Sequence, residues 1–181
     1  MFFAWGHIML DFIRTIAPAL ALATLFSAAP LVAKDLQSPS GEIILTVTGD
    51  IGATNDGENA VFDVEMLREM GEVSFSTSTP WTEGVHEFTG IPLHVLTEAL
   101  GVTGGSMKAT AINDYAIDIP VSDAVEGGPI LAYMQNGKAM SVRDKGPLWL
   151  IYPYDLDEDY QAELIYSRSI WQLVRLDVAA D

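Results

Sequence analysis

Few side chains in this sequence are suited to chemistry, and they fall in three places. Arg143, Asp144 and Lys145 stand consecutively before Gly146-Pro147. A guanidinium fork beside a carboxylate offers directed donors and acceptors to a polar planar ligand; three charges in a row are also what an ordinary solvated turn looks like. Trp81 follows Pro80 at the end of the stretch Ser-Phe-Ser-Thr-Ser-Thr-Pro-Trp, residues 74–81. Its indole is either a stacking face or a loop side chain packed on the core. Thr77, Ser78 and Thr79 supply hydroxyls just before it. Asn113, Asp114 and Tyr115 form the third group. Asn and Asp serve turns through their own backbone, while Tyr115 is free to present its ring or hydroxyl to a ligand.

Other chemistries are absent by residue type. The chain has no cysteine, which removes disulfides, thiolate metal ligands and cysteine nucleophiles. His86 and His94 are not at the spacing of a zinc-binding helix pair. Asp155, Asp157, Glu158 and Asp159 resemble part of a calcium loop but lack its glycine and distal glutamate; they suit the acidic start of a helix. The glycines at 101–105 follow a predicted helix and read as its stop. No serine-centred nucleophile elbow occurs. With nine Lys+Arg against twenty-five Asp+Glu in 181 residues, the formal charge is −16. A surface so acidic, with no basic patch, excludes nucleic acid as a partner and disfavours an anionic membrane surface.

The elements that must position these residues are legible in the pattern. Strands are expected at Glu42–Thr48, Glu72–Ser78, Val85–Thr89, Ser106–Ile112, Tyr115–Ile119, Ile130–Gln135, Leu148–Tyr152 and Ile170–Val178, from β-rich or alternating runs that end at Gly, Pro or Asn-Asp. Helices are expected over Asp63–Met70, capped by Asp63, over Pro92–Leu100, stopped by Gly101, and from Asp157 to Ser167. Asn136-Gly137 is a hairpin signal. Within this reading Trp149 and Trp171 lie in strands and are expected to pack in the core. The class implied is α+β, a single compact mainly-β domain.

The N-terminus has the layout of an export signal. Arg14 precedes the apolar run Ile16–Phe26, and small residues lead to a cleavage point expected after Ala33. The run is shorter than the roughly 20 residues of a membrane span. Residues 1–33 are therefore expected to be a signal peptide and 34–181 the mature domain, with Met9 an alternative start. Removal takes away one Asp and one Arg, so the charge stays at −16. An exported, acidic, cysteine-free chain fits the periplasm.

Four segments in order carry a resemblance: Phe-Thr-Gly-Ile-Pro-Leu at 88–93, Ala-Ile-Asn-Asp-Tyr at 111–115, Gly137-Lys138, and Arg-Asp-Lys-Gly-Pro-Leu-Trp-Leu-Ile-Tyr-Pro at 143–153, followed by Trp171-Gln172-Leu173. Together they resemble the molybdopterin-binding domain of the sulfite oxidase superfamily over about Glu42 to Val178. That resemblance implies a mainly-β fold with a pterin cleft between its loops. It also implies a molybdenum-ligating cysteine before the Phe-Thr-Gly-Ile-Pro-Leu element, where this chain has Thr77 and Thr79. Neutral hydroxyls do not replace a soft thiolate. Two phosphate-binding cations implied by the family are replaced by Trp149 and Ile170. The expectation is a stand-alone, non-catalytic binder of a small, non-phosphorylated pterin, without molybdenum. The resemblance also implies that stand-alone members act as periplasmic pterin-binding proteins, some of them paired with a membrane cyclic-di-GMP enzyme whose outer domain reads their state. Trp81 would stack on the pterin; Arg143 and Asp144 would bond its O4 and its N2/N3 edge; Lys145, Tyr115, Asp114, Thr77 and Thr79 would complete the lining. Two alternatives stay open: a molybdopterin oxidoreductase with a non-cysteine metal site, and an interaction module that keeps only the fold.

Overall fold

A computed structural model describes residues 36–180; the expected signal segment and its cleavage point lie outside the described residues. Ten strands form two sheets. The first has the order β2-β1-β10-β5-β6, built from β1 (Leu45–Gly49), β2 (Ala60–Phe62), β5 (Ser106–Ala111), β6 (Ala116–Pro120) and β10 (Leu173–Ala179). β1 and β10 are parallel and the other pairs antiparallel. The second runs β3 (Val73–Thr79), β4 (Thr82–Pro92), β7 (Ile130–Gln135) and β8 (Lys138–Ala139). β9 (Trp149–Ile151) pairs with the Ile130–Ala132 end of β7. Short helices α1 (Val64–Glu69), α2 (Leu93–Ala99) and α3 (Glu163–Arg168) complete an α+β, mainly-β domain.

Local chemistry explains most of these boundaries. In β1, Leu45 and Val47 are buried while Thr46 and Thr48 are not, the period-two pattern of a half-buried strand. Asp63 accepts the Met66 N–H at 2.9 Å as N-cap of α1 and also takes the Ser40 and Gly41 N–H groups at 2.8 and 2.7 Å. These backbone donors hold its carboxyl below the usual carboxylate range. α2 starts after Pro92 and buries Leu93 and Leu96, each contributing about 2 kcal/mol by its burial. Gly101 then ends it at a positive φ of 70°. Asn136 and Gly137, at φ 51° and 72°, form the expected tight turn between β7 and β8.

The differences have physical causes. β2 has only three residues, all buried, so it shows no alternation. The third helix divides into a 3₁₀ turn at Glu158–Tyr160 and α3, with Asp157 accepting the Asp159 N–H as the cap of the turn. The last strand starts at Leu173 rather than Ile170 because Gln172 takes a positive φ of 54°.

The two sheets join at that kink. The Leu150 N–H donates to the Ile170 carbonyl and the Leu173 N–H to the Leu148 carbonyl, so residues 170–173 leave β9 and enter β10. Gly90, in the Phe-Thr-Gly-Ile-Pro-Leu element, lies where β4 and β7 approach so closely that a Cβ would stand 2.1 Å from the Leu131 carbonyl oxygen.

Candidate functional site

The kink at Gln172 turns Trp171 outward. Trp149 is fully buried, as expected, but Trp171 is 38% exposed, which corrects the expectation that both pack in the core. Trp171 becomes one wall of a cleft of about 480 Å³. The β3–β4 turn contributes Trp81, the β5–β6 turn Asn113 and Tyr115, and α3 with its continuation contributes Glu163, Tyr166 and Ser169.

Trp81 is the centre of an aromatic cluster. Its ring lies edge-on to Trp171, Trp149, Tyr166 and Tyr154, with centroids at 5.7, 5.9, 6.0 and 6.4 Å, the separations at which edge-to-face pairs are favourable. It therefore does two things: it packs on the core through Trp149 and Tyr154, and it faces the cleft beside Tyr166 and Trp171.

Hydrogen bonds fix the wall built by α3. Ser169 is held three ways: Tyr154 donates to its hydroxyl, that hydroxyl donates to the Ile165 carbonyl at 2.9 Å, and the Trp149 indole N–H donates to its carbonyl at 3.1 Å. Burial pushes the Tyr154 hydroxyl above the ordinary tyrosine range, keeping it a neutral donor. One residue earlier, Arg168 clamps Asp123 with contacts of 2.9 and 3.1 Å, and Tyr152 donates to the same carboxylate at 2.7 Å. Burial first, and then the Asp123 carboxylate, raises the Tyr152 hydroxyl well above its ordinary value.

Lys145 is the charged group stacked on this wall. Its ammonium sits 5.7 Å from the Trp171 centroid and 5.5 Å from that of Trp149, within cation–π range. Lys145 is itself in the left-handed region, at φ 74°, and its carbonyl accepts the Gln172 N–H at 3.0 Å. The Gln172 side chain donates to the Val142 carbonyl at 2.7 Å. The turn before Gly146-Pro147 and the kink after Trp171 thus hold each other.

Of the residues singled out from sequence, Trp81 and Tyr115 line the cleft and Lys145 stacks on its wall. Arg143 is exposed in a 3₁₀ turn at Val142–Asp144. Asp144 accepts the Ser141 hydroxyl at 2.7 Å, a local bond within that turn. Asp114 occupies a positive-φ turn position, at 65°, with Tyr115 donating its N–H to Asn113 Oδ1. Thr77 is buried, donating to the Ser78 carbonyl and accepting the Asp155 N–H, both at 3.2 Å. Thr79 shares its hydroxyl with Thr82 at 2.8 Å and the Trp81 N–H at 3.1 Å, so it shapes the turn that presents Trp81. Sequence reasoning missed Glu163 and Tyr166, which lie in a short helix with no motif. Trp171 was visible, but its exposure follows from the unforeseen φ of Gln172.

A two-sheet, mainly-β domain with an aromatic cleft at the sheet junction defines the class. The family model of the oxidoreductase molybdopterin binding domain matches residues 63–156, and the chain belongs to that family. The match spans Trp81, Tyr115 and Lys145, whereas Glu163, Tyr166 and Trp171 lie beyond it. No curated protein matches the chain.

The family implies molybdopterin, and the residues fit its two parts unequally. Flanking aromatic rings and a few polar groups suit a flat heterocycle. Thiolate-held molybdenum does not fit the donor set: the chain has no cysteine, and the Thr77 and Thr79 hydroxyls are already engaged within β3 and its turn. Among the described residues no group of three His, Cys, Asp or Glu side chains is placed to hold a metal ion.

Proposed function

We propose that this chain is a non-catalytic pterin-binding protein whose ligand lies in the cleft between Trp81, Tyr166 and Trp171. The observation that carries this reading is the outward Trp171, which with Trp81 and Tyr166 lines a cleft of about 480 Å³ on a domain of molybdopterin-binding type. A pterin is a flat bicycle with apolar faces and one polar 2-amino-4-oxo edge. Aromatic rings stack on the faces, and Glu163, the charged side chain lining the cleft, offers a carboxylate able to accept two parallel hydrogen bonds from the N3–H and 2-amino groups. With no thiolate in the chain, the reading is binding rather than oxygen-atom or electron transfer.

The export-like N-terminus supports a periplasmic protein released after Ala33, and the loaded state is read by the outer domain of a membrane cyclic-di-GMP enzyme. Cell fractionation with mass measurement of the mature chain tests the first point; a chain retained whole in the cytoplasm overturns it.

Binding is tested by titrating the purified chain with tetrahydrobiopterin, biopterin and neopterin and following tryptophan fluorescence. Saturable quenching is expected for at least one of them. No binding of any pterin at high micromolar concentration overturns the reading. Stoichiometric molybdenum in protein from a molybdate-competent host would replace it with the oxidoreductase alternative.

A further inference from the structure

The outer edge of β3 takes no part in the cleft, and its chemistry is that of an unfinished sheet. We propose that this edge accepts an extended, apolar and basic segment of a partner protein, which adds as a strand beside Val73–Ser76. The direction of the backbone groups follows from two observations. Ser78 sends its N–H away from β4 to the Asp155 carboxylate at 2.6 Å, and Ser74 and Ser76 are in phase with it. Glu87, the cross-strand partner of Ser76, exchanges bonds with Asn136 on the far side, donating to Oδ1 at 3.0 Å and accepting the Asn136 N–H at 2.8 Å. In an antiparallel pair whose members do not bond each other, both turn their polar groups away from the partner. The N–H and C=O of Ser74 and Ser76 therefore face outward, both residues are exposed, and no partner for these backbone groups exists among the described residues.

Proteins blunt such edges with charge, proline, bulges or a covering segment. β3 reads Val-Ser-Phe-Ser-Thr-Ser-Thr, with neither charge nor proline. Only its far end is fastened, where Asp155 takes the Ser78 N–H and hydroxyl. At the open end, residues 73–75 border a groove of about 480 Å³, with Val73, Phe75 and the 71% exposed Leu156 in its apolar lining. Strand addition uses this combination, main-chain bonds for affinity and side-chain pockets for specificity.

Charge selects the occupant. Glu126 and Glu72 line the groove and no Lys or Arg does; Glu72 also accepts the Tyr133 hydroxyl at 2.6 Å and lies 3.9 Å from Arg68. His94 lines it too, with a buried Nδ1 that has no hydrogen-bond partner among the described residues. A second copy of this chain would bring the same carboxylates together in a complex of two −16 chains. A segment alternating apolar residues with Lys or Arg instead satisfies the open backbone groups, the apolar wall and the acids at once.

The test starts from a phage-displayed library of linear peptides selected on the full chain. The expected winners alternate apolar residues with Lys or Arg and, as synthetic peptides, slow amide exchange at Ser74 and Ser76. Ser76→Pro removes an outward N–H without a ladder bond, and it should weaken the peptide about tenfold, while Ser76→Ala leaves affinity unchanged. The proposal is overturned if no peptide enriches, if Ser76→Pro binds as the wild type does, or if the Ser74 and Ser76 amides stay unprotected in the complex. Dimerisation of the wild type that Ser76→Pro abolishes would also overturn it, by making a second copy the occupant. Should Ser76→Pro lose the native circular dichroism spectrum, the exchange measurement on the wild-type complex decides.

Discussion

Trp81 and Trp171 share a contact but carry different burdens, and substitution separates them. Trp81 packs on Trp149 and Tyr154 as well as facing the cleft, so Trp81→Ala should cost about 3 kcal/mol of stability in addition to ligand affinity. Trp171 is more exposed, though it still packs on Trp81 and Trp149, so Trp171→Ala should lower the urea midpoint less than Trp81→Ala does while weakening pterin binding about tenfold, the scale of one lost stacking contact. Equal affinities for Trp171→Ala and wild type would remove this indole from the site. Glu163 is tested by ligand choice. Lumazine keeps N3–H but carries an oxo group where pterin has its 2-amino group, so Glu163→Gln, which turns one acceptor into an amide donor, should weaken pterin about tenfold and strengthen lumazine, as read by calorimetry. At this scale the sequence was informative where a residue type announced itself. Trp81, Tyr115 and Lys145 were recognisable; the structure brings Trp81 and Tyr115 to one cleft and stacks Lys145 on its Trp171 wall. Glu163 stands in no motif, and its relevance appears only when α3 folds beside the β5–β6 turn.

Two short helices, α1 and α3, each rest on a single polar group whose loss should be felt at a distance. Asp63 caps α1 and fastens the segment before β1 through Ser40 and Gly41; Asp63→Ala should cost about 1–2 kcal/mol. Because its folded carboxyl is held below the ordinary value, its stabilisation is complete above about pH 4 and fades as the pH falls through the lower folded value. The deficit of the variant should therefore shrink in acid, which urea titrations at several pH values would reveal. α3 depends on Arg168, whose Asp123 partner is mostly buried and also receives the Tyr152 hydroxyl. Arg168→Met leaves that carboxylate without its cation and should destabilise the fold by about 3 kcal/mol, while Arg168→Met combined with Asp123→Asn should recover part of the loss. Elements governed by local signals were legible: the Asp63 cap, the Pro92 start and Gly101 stop of α2, and the Asn136-Gly137 turn. Features decided by distant partners were not. Asp155 looked like the acidic start of a helix, yet its carboxylate bonds Ser78 seventy-seven positions earlier, and the Gln172 kink depends on bonds to Val142 and Lys145.

Charge belongs to the molecule as a whole, and it bears on the form of the ligand. With a formal charge of −16, a phosphate approaches the cleft against the field of the entire domain. Two cations near the cleft are poorly placed to compensate. Arg168 is engaged by Asp123, Lys145 is stacked on Trp149 and Trp171, and Glu163 adds a negative charge inside the cleft. Neopterin should therefore bind more tightly than neopterin phosphate at low ionic strength. The penalty is largely long-range, and the screening length shortens to about 10 Å at 0.1 M salt and about 3 Å at 1 M, so added salt should raise the affinity of the phosphate ester toward that of neopterin and leave neopterin itself nearly unaffected. Fluorescence titrations of both ligands in low and high salt measure the two trends. A phosphate ester that binds more tightly in low salt, and loses affinity as salt is added, would instead reveal a cationic phosphate site and return the chain to the phosphorylated cofactor of its family.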